Sequence, residues 1–90
     1  MSTTPSFTTM NASDLAEILF TSPLQESDRP SAEQVRTAIN ARLGACGGDS
    51  AAWVAAVAQE AGDHPETYLA RMRWALSTVH AIYPDLTTAA

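Results

Sequence analysis

Ninety residues allow a single domain, and a chain this short buries only about 60% of its unfolded surface, so its core is small. A formal charge of −5, from ten acids against five arginines and no lysine, opposes nucleic-acid binding through phosphates. The single cysteine excludes an internal disulfide and the multi-cysteine zinc motifs. The opening residues carry no basic group and no apolar run, and no stretch reaches the ~18 apolar residues of a membrane span. The expectation is a cytoplasmic protein with no membrane span, metal or cofactor.

Residues 1–10 are rich in Ser and Thr without a period and read as a flexible arm in which Phe7 and Met10 are the groups able to latch onto the body. The stretch 11–84 reads as one helical domain and 85–90 as a tail. Its first helix is expected over 11–21. Asn11 is placed to cap it, Asp14 stands in the reciprocal capping-box position, and Ala12, Leu15, Ile18 and Leu19 share one face. Two prolines, Pro23 and Pro30, bracket a loop in which Leu24 is the only large apolar side chain.

Ser31 and Gln34 have the spacing of a second capping box and open the second helix. Its inward stripe is expected to be Ala32, Val35, Ile39 and Leu43, with Glu33, Thr37 and Asn40 facing out and Gly44 as a left-handed stop. A turn through Cys46 follows. The third helix, expected over 50–61 and ended by Gly62, is mostly alanine with Trp53, Val54 and Val57 as its bulk; Asp49 or Ser50 caps it. Pro65 suits the first position of a fourth helix that ends at Tyr83 and Pro84. On that helix Tyr68, Leu69, Met72, Ala75, Leu76, Val79, Ile82 and Tyr83 fill one broad face. No segment alternates with period two. The fold class is therefore all-α, with four helices, crossed rather than regularly up and down, and the long C-terminal helix central.

The opposite face of the fourth helix holds Trp74, with Ala70, Ser77, Thr78, Ala81 and Arg71 around it. Trp74 either packs beneath the first helix or the N-terminal arm, or forms a contact surface. Tryptophan and arginine are the side chains most enriched where binding energy concentrates. The contact reading names Trp74, Arg71, Ala70 and Thr78 as partner-binding residues, the partner being another protein or a second copy of the chain. It expects Trp74 to be exposed in the isolated monomer.

The run from Val57 to Thr67, followed by Arg71 and Arg73, resembles a helix-turn-helix of the lactose-repressor type, with Val57, Ala58, Ala61, Gly62 and Thr67 at matching places. That resemblance implies DNA binding through Thr67, Arg71 and Arg73. Asp63 departs from it, standing where the pattern has a buried aliphatic residue, and Glu66 would face phosphate. Cys46 lacks a positioned histidine for nucleophilic catalysis. His64 and His80 lie ~24 Å apart along a straight helix and cannot share a metal within one chain. No serine, histidine and acid spacing points to an enzyme. In composition, rich in alanine and with arginine but no lysine, the chain resembles short proteins of GC-rich bacterial genomes. The reading is a non-catalytic protein-interaction or regulatory module, with a helix-turn-helix transcriptional regulator as the alternative.

Overall fold

The computed structural model describes residues 11–45, 47 and 50–84; the readings for the arm, Cys46, Asp49 and the tail lie outside them. The described residues form four helices, α1 (Ala12–Phe20), α2 (Ala32–Ala45), α3 (Ser50–Asp63) and α4 (Pro65–Ile82), with a 3-10 turn at Glu26–Asp28 and no strand. No helix is long and apolar enough to cross a membrane among the described residues.

The helix starts follow the local chemistry read from the sequence. The Asn11 side chain accepts from the Asp14 backbone N–H at 2.9 Å, and the Asp14 carboxylate accepts from the Asn11 N–H at 3.1 Å. Ser31 and Gln34 make the same reciprocal pair before α2, at 3.1 and 2.8 Å. Each box satisfies two backbone donors that a helix start otherwise leaves to water.

The helix ends differ from expectation at both interior glycines. Gly44 lies within α2, which runs on to Ala45, and among the described glycines the left-handed one is Gly47, at φ 62°. Gly62 lies within α3, which runs on to Asp63. The His64 N–H still donates to the Glu60 carbonyl at 2.8 Å, and the next residue, Pro65, has no N–H to continue the ladder. Proline rather than glycine therefore ends α3. His64 alone separates the two helices, and its own carbonyl accepts from Tyr68 N–H at 2.8 Å to start α4.

The core gathers on α1, the shortest helix. Ala12, Leu15, Ala16, Ile18, Leu19 and Phe20 are all buried, which leaves only Ser13, Asp14 and Glu17 partly open. A helix apolar on nearly every side needs cover on every side, and α1 touches all three other helices, α4 most extensively. Val35 and Ile39 of α2, Trp53 of α3, and Ala75 and Val79 of α4 close around it in one cluster. Leu24 packs against this cluster and tacks the loop down. Burial raises the Glu17 carboxyl above its ordinary pKa, with the nearby charge of Asp14 adding to the shift.

Two apolar positions assigned inward from periodicity, Ala32 and Leu69, are wet, and so is Val54 of α3. Ala32 is exposed in the first turn of α2. Val54, next to the 2%-exposed Trp53, is 48% exposed, and Leu69 of α4 is 57% exposed. At this level α1 is met by Tyr68 and Arg71, and Leu69 stands ~100° around α4 from Tyr68; elsewhere nine residues of α1 span ~13.5 Å against ~27 Å for the eighteen of α4. The short helix cannot cover the whole face of the long one.

Candidate functional site

The C-terminal end of α1 organises the surface around Trp74. A helix end leaves four carbonyls without helical partners, and α1 has no basic residue in its last turn. The Glu17 and Ile18 carbonyls accept from Thr21 N–H at 3.2 and 3.1 Å, and Leu19 accepts from Ser22 N–H at 3.0 Å. The hydroxyls of Thr21 and Ser22 add bonds to Ile18 and Leu19, at 2.8 and 2.7 Å. The Phe20 carbonyl is met from another helix. Arg71 of α4 donates from Nε to Phe20 O and from Nη2 to Ser22 O, both at 2.9 Å.

That one guanidinium therefore closes the α1 terminus and places a positive charge at its negative dipole end. It also lies over two rings, with Cζ 5.4 Å from the Phe20 centroid and 5.1 Å from that of Trp74, both within cation–π range. Tyr68, one turn earlier, meets Phe20 as a tilted pair at 5.7 Å. Burial lowers the Arg71 pKa from its usual value, and the charge of Glu60 acts in the opposite direction. Arg42 of α2 reaches the same terminus, donating from Nε to Thr21 Oγ1 at 3.0 Å.

Trp74 is partly buried: it packs on the core cluster and under Arg71, and its remaining edge opens outward. The opening is a cavity of 370 Å³ lined by Glu26 of the 3-10 turn and by Ala70, Arg73, Trp74 and Ser77 of α4. Ala70 and Arg73 are exposed, and Thr78 is partly buried one turn beyond Trp74. Of the residues named from the sequence, Trp74 and Ala70 thus share one cavity. Arg71 stands behind them, its donors directed into its own chain. Glu26, Arg73 and Ser77 are cavity residues that the contact reading did not include. Ser77 stands beside Trp74 at helical pitch, but the approach of Glu26 depends on how the 22–30 loop folds and leaves no mark in a helical period.

The three residues named for DNA recognition do not converge. Thr67 and Arg73 are exposed but stand ~120° apart around α4 at helical pitch, and Arg71 is turned to α1. Asp63 and Glu66, both acidic and exposed, flank the start of α4. The one-residue connection at His64 and the helical Gly62 also depart from the turn that the resemblance implies.

Two further cavities lie nearby. One, of 390 Å³, sits at the α1 terminus among Thr21, Arg42, Glu60 and Arg71. The other, of 570 Å³, runs along the small outer residues of α2, including Ala38 and Ala41, beside Pro23 and Leu24. Among the described residues no three His, Asp or Glu side chains gather as a metal site.

No protein-family model matches the chain, no curated protein is significantly similar to it, and no solved structure matches its fold significantly.

Proposed function

We propose that the protein is a non-catalytic interaction or regulatory module acting in a bacterial cytoplasm, and that it meets a protein partner through the Trp74 face of α4. The observation that carries the reading is the state of Trp74 itself. Its ring is held from behind by a guanidinium that is fixed by two backbone carbonyls, while its free edge borders a cavity. A large side chain that is anchored before contact loses little conformational entropy on binding. Tryptophan is among the side chains most enriched at the energetic centres of interfaces.

Covering the rest of the ring contributes on the order of 1–2 kcal/mol at ~25 cal/mol per Å², which is about 5–30-fold in affinity. An increment of that size suits a reversible, regulatory contact better than permanent assembly.

Affinity capture from the source cytoplasm with the tagged chain tests this. Proteins retained by the natural sequence should fall about tenfold with Trp74→Ala and with Ala70→Arg. The second variant fills the cavity from an exposed helix position where arginine is well tolerated. Circular dichroism confirms that both variants remain folded. A retained set that is indifferent to both substitutions removes the Trp74 face from the interaction.

A further inference from the structure

The cavity at Trp74 carries one acid and one base on opposite elements, and this bears on what fills it. Glu26 projects from the 3-10 turn and Arg73 from α4; both are exposed and both line the cavity. Among the described residues no ion pair joins them or engages either one. Resting on the reading of this face as a contact surface, we propose that its occupant is a second copy of the same chain. The two copies form a two-fold dimer in which Glu26 of each faces Arg73 of the other across the paired Trp74 edges.

The argument is one of self-complementarity. A two-fold interface brings each residue against its opposite number's partner, so that i meets j and j meets i. A patch with an aromatic centre, one negative flank and one positive flank meets that condition with itself. A uniformly acidic partner would be repelled by Glu26, and a uniformly basic one by Arg73.

Net charge favours the same location. Each copy carries −5, so two copies repel as wholes, and this patch is one whose own formal charges sum to zero. Ser77 and Ala70 are small and let two α4 helices approach closely. Five lining residues a side make a compact contact, smaller than a standard stable interface, so the dimer is weak and forms at high micromolar concentration. The two exposed charge pairs then set register and partner choice more than strength.

Sedimentation of the full chain from about 10 μM to 1 mM tests the proposal, using charge reversals at positions that are exposed and leave the core alone. Glu26→Arg and Arg73→Glu should each weaken self-association about tenfold, because each places two like-charge pairs across the two-fold axis. The double variant E26R/R73E should restore it to within about threefold, since both pairs are again opposite. An equimolar mixture of the two single variants should form the mixed dimer preferentially, because one copy then presents two arginines and the other two glutamates.

A chain that stays monomeric at 1 mM, a dimer indifferent to the reversals, or a double variant that stays as weak as the singles each overturns the proposal. Should Trp74-dependent capture of another protein persist in those cases, only the identity of the occupant falls. Should that capture be absent as well, the contact reading falls with it.

Discussion

Leu15→Ala lowers the free energy of unfolding by about 2–5 kcal/mol, the cost of emptying a buried leucine site, while Leu69→Ala changes it by no more than about 0.5 kcal/mol. Leu15 is fully buried on the helix that all three others touch, whereas Leu69 is 57% exposed on the longest helix. A domain of this size has roughly 4–11 kcal/mol of stability in total. The first change therefore removes a large share of it and lowers the melting temperature by about 10 °C or more. Thermal and urea melts of the two variants side by side measure the difference. Equal losses would mean that the core follows α4 from end to end rather than gathering on α1.

Arg71→Ala is the second large effect, at about 2–4 kcal/mol, and it arises without any loss of core volume. The substitution leaves the Phe20 and Ser22 carbonyls without their donors, and both residues are buried; an orphaned buried acceptor costs ~1–3 kcal/mol. It also removes the cation from over the Phe20 and Trp74 rings, at about 0.5–1 kcal/mol each where partly exposed. These terms share one side chain and do not simply add. Arg71→Lys separates charge from shape. Lysine keeps the positive charge at the helix end but cannot reach two carbonyls with a planar fork, so it should recover less than half of the loss. Chemical denaturation of both variants reads this directly. Full recovery by lysine would reduce the role of Arg71 to charge alone.

The helices were legible in the sequence because their starts are made of neighbours. Asn11 with Asp14, Ser31 with Gln34, and Pro65 all act within one turn, so their chemistry is written at fixed spacing. The stops at glycine were less legible. A glycine ends a helix only where the chain needs a left-handed residue, and here Gly47 takes that conformation while Gly44 and Gly62 stay helical. Which helix would hold the centre was partly readable. Leu15, Ala16, Ile18, Leu19 and Phe20 leave α1 almost no polar side, a sign of burial all round. The broad stripe of α4 points to the long helix instead, because periodicity shows a face and says nothing of how much neighbour exists to cover that face.

The site was half legible for a related reason. Helical pitch placed Trp74, Ala70, Arg71 and Thr78 together, but it could not divide them into inward and outward tasks. Arg71 is committed to α1 by two bonds across 51 and 49 positions of sequence, and no local pattern carries such a pairing. One sign was available: α1 ends in Phe20-Thr21-Ser22-Pro23, with no basic residue in its last turn and no glycine cap, so a donor for its last carbonyls had to come from elsewhere. Glu26 enters the cavity on a loop whose path depends on Leu24 packing and on Arg29 at φ 48°, both tertiary facts.

The most direct measurement on the central claim, that Trp74 is anchored from within yet open outward, is acrylamide quenching of single-tryptophan variants at dilution. Trp53→Phe leaves Trp74 as the reporter, and Trp74→Phe leaves Trp53, which is 2% exposed. Trp74 should quench readily and emit at longer wavelength, should become shielded as the protein is concentrated, and should become more accessible still in the Arg71→Ala background. Trp53 should remain shielded throughout. A Trp74 as protected as Trp53 in the dilute monomer would contradict the claim and make this face an ordinary part of the core.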